Sequence, residues 1–402
     1  MRNSAYMLAI LIAIPGWALA QYSPHGMPLN QDPYLIMTQA PATSQAPATS
    51  GANQSNDASQ ARFDSGRSLA RNTRTRAGRA ANMFGDSLPA VGHVVFGSIS
   101  QDTYAPTALA GGGRYSKIGE NNKAFTMDRV YFTYQNFHNA APVSLSGGQF
   151  VDYSISQYTV GGEKTLLDGL LSVELRGSLL SDIDGFGPDT SFDNGTVSNL
   201  TANLKVQLYE TDDLGVVAGL GVGLPTGSDF QGYISTGTNF TLDNQAVYLL
   251  PFIGATYAPL DSVFGTTFVQ ISTPTNGDHF LVNGVPVDNI NPQTTMHVSS
   301  SLGFWLIDEA DNFPIQGIAW LNEFHYTTAL QDPDGVDVLG PFSEPISMAT
   351  SPGRYNILNV TSGVHFQITD LTSFRVGAVF PIRRTADRVF DGEVQATLNH
   401  QF

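Results

Sequence analysis

The sequence has no cysteine, carries charge on only 13% of its 402 residues, and after residue 20 contains no apolar run as long as a membrane-spanning helix. The first absence excludes a disulfide-stapled scaffold, and the second is unlike a typical cytosolic enzyme. The third means that any passage through a membrane has to be made by strands. Also missing are a nucleophile elbow, a phosphate-cradling loop and zinc-ligand spacing, so neither an enzyme nor a cofactor is expected. His297 and Ser299 in TMHVSSS come nearest to a catalytic pair. They alternate with Val298, Ser300, Leu302 and Phe304, which turns them inward, whereas a barrel lipase needs them on the lipid side. What the chain has in quantity is 40 Gly, 24 Phe and 15 Tyr, a bias towards β-structure.

Composition divides the chain into four parts. Residues 1–20, MRNSAYMLAILIAIPGWALA, combine an early Arg2, an apolar stretch from Ala5 to Ile14 and small residues before Gln21, the pattern of an export signal cleaved after Ala20. Residues 21–85 are rich in Pro, Ala, Ser and Gln, with a tandem QAPATS at 39–50. Such a stretch has too little apolar surface to offset its ordering entropy, and a disordered periplasmic extension is expected. Within it Arg62, Arg67, Arg71, Arg74, Arg76 and Arg79 form a basic segment suited to an anionic partner: envelope glycan, lipid headgroups or the acidic remainder of the chain. That remainder, residues 86–402, holds 12 of the 19 basic and 32 of the 35 acidic residues, a formal charge of −20. Residues 86–126 read as a linker, a plug or an extra strand, with VGHVVFGSI as the strand-like piece and AGGGRYSKIGENNK as loop.

From about residue 127 to 402 one pattern recurs. In LLSVELRGSLL the residues Leu171, Val173, Leu175 and Leu179 lie on one face, and Ser172, Glu174, Arg176 and Ser178 on the other. NLTANLKVQLY, LGVVAGLGVGL, NVTSGVHFQI and SFRVGAVFPI repeat it. Short polar turns near 163–167, 211–213, 259–262, 308–313 and 370–372 alternate with long loops near 139–153, 181–197, 225–245, 274–294 and 331–353. Segments of about ten residues, even in number and joined alternately by short and long connections, predict an all-β chain: a transmembrane antiparallel up-and-down barrel of about twelve strands.

The stretch FDGEVQATLNHQF alternates to its final residue, because a closed wall needs its last strand. Its face of Leu398, His400 and Phe402 resembles the terminal assembly signal of bacterial outer-membrane β-barrels, departing from it at His400. That resemblance implies outer-membrane lipid and the barrel-assembly machinery as partners and the cell outer membrane as location. GVGLPTGS at 221–228 also resembles a barrel family associated with aromatic-degradation (meta-cleavage) pathways, in which a strand ends in PTGS. It implies a channel-like role.

The inward set comprises Arg129, Glu174, Arg176, Lys205, His365, Arg375, Asp391 and Glu393. In an open pore such charges would line the path of small hydrophilic solutes, and in a plugged barrel they would form structural pairs. Glu174, Arg176 and Lys205 are expected to be cross-strand neighbours. Glycines 215, 219, 221 and 223 leave space on the inner face, which a loop or residues 86–126 would fill. Asp182, Asp184, Asp189 and Asp193 around two glycines offer oxygen ligands for calcium, without the complete twelve-residue spacing. The function expected is a porin-like channel with a cation preference from the −20 charge. The alternative is a closed structural, receptor or adhesion barrel, and an autotransporter is disfavoured by a short N-terminal part. An exported chain is not expected to meet nucleic acid. Oligomeric state is not legible in this sequence.

Overall fold

The computed structural model describes residues 75–402 except 89–91, 99–100, 108–109, 112–115, 146–148, 182–184, 187–189, 194–196, 235, 309–314, 352 and 385–386. The export signal and residues 21–74 of the extension lie outside the described residues.

Twelve antiparallel strands form the wall: β1 (Arg129–Leu145), β2 (Gln149–Leu166), β3 (Leu171–Leu180), β4 (Leu200–Glu210), β5 (Leu214–Leu224), β6 (Tyr248–Leu260), β7 (Val263–Pro274), β8 (Thr295–Ile307), β9 (Gly317–Ala329), β10 (Asn356–Gln367), β11 (Thr372–Pro381) and β12 (Gly392–Gln401). Each pairs with its neighbours in sequence, and β12 returns to β1 in a register running from Gly392↔His138 to Gln401↔Arg129. The sheet therefore closes without an edge, so the wall strands find their hydrogen-bond partners in one another all the way round.

The alternation is inverted relative to a water-soluble protein. Along β3, Ser172, Glu174, Arg176 and Ser178 are buried, while Val173, Leu175 and Leu179 are exposed. Around the barrel the same outward face carries Val160, Leu204, Ile253, Leu302, Phe324, Val376 and Leu398. An apolar exterior and a polar interior suit lipid outside and polar groups inside, so the fold is a transmembrane barrel of outer-membrane type.

The short connections match the expected turns with small shifts. The first falls at Leu167–Gly169 rather than 163–167, because β2 continues pairing to Leu166. Leu167, Asp168 and Gly169 all have positive φ there, a conformation that costs a side-chain-bearing residue energy and costs glycine little.

The long connections depart further from expectation. Residues 141–145 and 149–153 are strand rather than loop: β1 and β2 keep pairing from Ala141↔Tyr153 to Leu145↔Gln149. Segments of three other long loops build a second sheet, in the order Val285–Ile290, Asp278–Val282, Thr238–Asp243, Phe230–Ile234, Thr190–Asp193, Gly185–Phe186. A hairpin of Gly92–Ser98 and Gln101–Thr107 pairs with Pro345–Ala349, which pairs in turn with Gly335–Leu339. The strand-like VGHVVFGSI is thus half of a hairpin at the long-loop end. These pieces surround Phe96, Phe192, Phe230, Phe240 and Phe280, all buried, with Phe96 and Phe240 ring centroids 4.9 Å apart, edge to face. Burial of each phenyl ring contributes about 1.5–3 kcal/mol, so the loops are held as a packed cap.

Candidate functional site: the plugged lumen

The lumen is occupied by the chain itself. Helix α1 (Arg76–Arg79) docks at the short-turn end, its N-cap Thr75 hydroxyl accepting the Gly78 N–H at 3.0 Å. Arg76 donates to Asp212 Oδ2 at 2.6 Å and to the Pro259 carbonyl at 3.0 Å, and Arg79 lies 3.3 Å from Asp308. Of the anionic partners expected for the basic segment, Arg76 and Arg79 therefore meet the acidic turns of their own barrel. From α1, residues 81–88 rise through the interior to the hairpin at the long-loop end, and residues 116–128 come back down to begin β1. The boundary expected at residue 85 is displaced: residues 75–85 belong to the ordered plug. Their composition cannot build a core of its own, but the barrel supplies one around them.

Charge and hydrogen bonding hold the two passes to each other and to the wall. Lys117 pairs with Asp86 at 2.8 Å, both buried. Ser87 donates to Glu120 at 3.0 Å, and the Met83 amide to the Asn122 carbonyl at 2.8 Å. Gly85 sits at φ +81°, and a Cβ there would lie 2.6 Å from Glu120 Cα, so only glycine fits this crossing. From the wall, Glu323 accepts the Phe84 and Gly85 amides at 2.7 and 2.9 Å. Gln270 accepts the Ile118 amide at 2.6 Å and donates to the Ser116 carbonyl at 2.9 Å. Every buried polar group so engaged avoids a desolvation cost of about 1–3 kcal/mol.

Seven of the eight inward candidates face the interior, buried against the plug or against one another. Arg129 lies 3.0 Å from Glu163 and 3.4 Å from Glu174, and Lys205 2.9 Å from Glu163. Arg176 donates to the Lys117 carbonyl at 3.0 Å and lies 3.8 Å from Glu120. Arg375, His365 and Glu393 are buried with them. Arg129, Glu174, Arg176 and Lys205 form structural pairs, while Arg375 and His365 border a cavity beside the plug; none of the seven lines an open pore in this structure. Asp391 departs from the expectation. It precedes the first residue of β12, so it stays exposed at the rim and bonds Asn139 at 2.9 Å and Arg388. Glu174, Arg176 and Lys205 lie on adjacent paired strands as expected, but not directly opposite one another. The register puts Asn203 opposite Glu174, Thr201 opposite Arg176 and Ser172 opposite Lys205, and Lys205 reaches Glu163 on β2 instead.

Glycine 215 does make space, as the inner face suggested: a Cβ there would fall 2.4 Å from the Phe125 ring. His297 and Ser299 are buried inside, with His297 bonded to Thr295 and Thr327 at 2.9 and 3.0 Å and His325 to Ser299 at 3.1 Å. Leu398, His400 and Phe402 are exposed, and His400 bonds Thr372 at 3.0 Å. Of the calcium candidates, Asp182, Asp184 and Asp189 lie outside the described residues. Asp193 is at the end of a strand of the second sheet. Among the described residues, no three His, Asp or Glu side chains are grouped to hold a metal ion.

Sequence reading missed the partners of the inward charges. Glu163 was assigned to a turn, and Glu323 in AWLNEFHY sits two residues from His325 on the inner face. Its alternation with Trp320, Asn322 and Phe324 was the available signal. Asp86, Lys117, Glu120 and Lys123 carry no periodicity at all.

Burial alone would raise the Asp86 carboxyl, but Lys117 and His325 outweigh it and hold its pKa at about 2, below the ordinary 3.8. A folded value below the unfolded one gives stability that is complete above about pH 4 and lost as pH falls towards 2, on the order of 2 kcal/mol. Amide exchange in residues 83–88 is therefore expected to accelerate between pH 5 and pH 2.5. Equal protection at both values, after correction for intrinsic rates, would contradict this.

Among solved structures, the chain is similar to an outer-membrane channel from Pseudomonas putida F1 (10% identity, 70% of this chain and 97% of that one, TM-score 0.42). It is similar also to the NanC porin (5% identity, 68% and 98%, TM-score 0.38) and to a FadL homologue from Pseudomonas aeruginosa (11% identity, 74% and 97%, TM-score 0.33). At these identities and scores the likeness says nothing of solute or activity. No protein-family description and no curated protein matches the sequence.

Proposed function

We propose that this chain is an outer-membrane channel held shut by its own N-terminal plug, passing small hydrophilic solutes when the plug is displaced. One observation carries the reading: beside the apolar contacts of Phe84, Phe125, Met83 and Ile118 with the wall, the inner face of the wall is lined by buried polar and charged side chains such as Glu163, Glu174, Arg176, Gln270, Glu323 and Arg375, so a departing plug leaves a wall that water can wet. The wall charges that remain, Arg129, Arg176, Lys205 and Arg375 against Glu163, Glu174, Glu323 and Glu393, nearly balance. Any cation preference therefore originates from the acidic loops and turns at the two mouths. The role is non-catalytic, and the reading includes export through residues 1–20 and insertion by the barrel-assembly machinery. A closed receptor or adhesion barrel is the second reading, favoured by the aromatic cap at the long-loop end.

Planar-bilayer recordings separate the two. The full chain is expected to be nearly silent, and a variant lacking residues 75–127 to give discrete conductance steps with a modest cation preference. A folded deletion variant that stays silent would favour the closed barrel. Steady open-pore conductance from the full chain would refute the plug, and a reversal potential showing anion preference would refute the selectivity.

A further inference from the structure

Beside α1 at the short-turn end lies a cavity of about 320 Å³, walled by β8–β12 and by both passes of the plug. Its lining includes Lys123, Trp305, His365, Arg375, Asn399 and Gln401. The size is at the low end of the ~300–1,000 Å³ usual for ligand pockets, so any occupant is small.

The charges inside the barrel single this cavity out. Lys117 has Asp86, Arg129 has Glu163 and Glu174, Lys205 has Glu163, and Arg176 has Glu120 as carboxylate partners. Arg375 and Lys123 differ. The partners of Arg375 are the carbonyls of Asn82 and Met83 and the side-chain oxygen of Asn121, and those of Lys123 are the carbonyls of Gly78 and Ala80. Neither side chain is more than 5% exposed, and both line the same cavity. A buried cation without an anionic partner is costly. Two further donor or acceptor positions are unused: Arg375 Nε and His365 Nδ1 have no hydrogen-bond partner, while His365 Nε2 is 3.2 Å from Gln367 and its ring stands edge-on to Trp305. The carboxylates nearby are beyond ion-pair distance, elsewhere engaged or at the rim: Glu323 acts on Arg375 only at longer range and accepts the Phe84 and Gly85 amides, Glu163 acts likewise on Lys123 and holds Arg129 and Lys205, Asp308 pairs with Arg79, and Asp370 is exposed.

We propose that this cavity binds a small oxyanion, a carboxylate or a phosphate, held by Arg375, His365 and Lys123. The guanidinium Nε–H, buried and without a partner, offers a charge-assisted bond, the strong kind for such groups. Burial, with the positive charges of Arg129 and Lys205, brings the Lys123 ammonium down to about 7 from 10.5; an anion in the cavity favours its charged form. Asn399 and Gln401 add neutral polar groups, and Trp305 closes one side. The site needs no open lumen, since the cavity is reached from the short-turn end, and it stands apart from the channel reading.

Isothermal titration of the full chain in detergent at low chloride tests it, with succinate and inorganic phosphate as separate titrants. Saturable binding of one or both is expected, the stronger of the two identifying the oxyanion class. Arg375→Gln is expected to weaken it about tenfold or more. Gln401→Glu, which adds a carboxylate at the cavity without touching the buried pairs, is expected to weaken it as well and covers the case in which Arg375→Gln does not fold. No saturable binding of either anion by folded protein into the millimolar range would overturn the proposal. So would binding that Gln401→Glu leaves unchanged.

Discussion

Glu163→Ala is expected to lower stability by about 3–5 kcal/mol, the usual cost of removing one partner from a buried charged network. The Glu163 carboxylate accepts Arg129 Nε at 3.0 Å, Lys205 Nζ at 2.9 Å, the Ser172 hydroxyl at 2.6 Å and the Met127 amide at 3.2 Å. Alanine leaves two buried cations short of charge: Arg129 retains Glu174, and Lys205 retains only the Asn122 side-chain oxygen and the Phe125 carbonyl. Because Asn122, Phe125 and Met127 all belong to the descending pass, the same change is expected to loosen the plug where it meets β1. Glu163→Gln keeps acceptor geometry without the charge and should fall between wild type and alanine. Denaturant unfolding in detergent measures both. Asp332→Ala, which removes an exposed pair with Arg354, is the control expected to change little. If Glu163→Ala unfolds with the control, the network contributes nothing.

Gly215→Leu is expected to drive the descending pass off the wall. A Cβ at residue 215 would lie 2.4 Å from Phe125 Cζ and 2.9 Å from the Ala124 carbonyl oxygen, so a backbone atom as well as a side chain has to move. Loss of the Phe125 contact forfeits about 1.5–3 kcal/mol of burial and strains the Ala124 amide, which donates to Thr256 at 2.9 Å. Faster proteolysis within residues 116–128 is the direct readout, and increased bilayer conductance follows if the barrel is a channel. Gly215→Leu with Phe125→Ala should recover part of the protection, because the ring clash goes and the carbonyl clash stays. Gly353→Ala, where nothing lies within 4 Å, should have no effect. Proteolysis at the wild-type rate in Gly215→Leu would mean that the pass does not rest on this wall.

Legibility followed locality. LLSVELRGSLL could be read because a strand's two faces are written in consecutive residues, and Glu174 and Arg176 were assigned inward on that basis alone. Residues 141–145 and 149–153 were misread because their polar, small side chains look like loop; what makes them strand is pairing between β1 and β2 themselves and the contact of β1 with Gln101–Thr107. Residues 75–85 were read as disordered for a similar reason. Composition reports whether a segment can bury itself, and Phe84 is buried in a lumen built from residues far along the chain, where Gly363 and Gly377 leave room for its ring. Asp391 was placed inward by extending an alternation one step beyond the strand that enforces it.

By itself, the sequence determined a closed antiparallel barrel of about twelve strands with a polar inside, since period-two alternation and connection length are properties of neighbouring residues and lipid admits few other solutions. Only the tertiary structure decided that the inside is full. Asp86 meeting Lys117, Glu323 meeting the Phe84 amide, and Arg375 left without a carboxylate beside an open cavity depend on segments tens to hundreds of residues apart being brought to within 3 Å, and no local pattern records that distance.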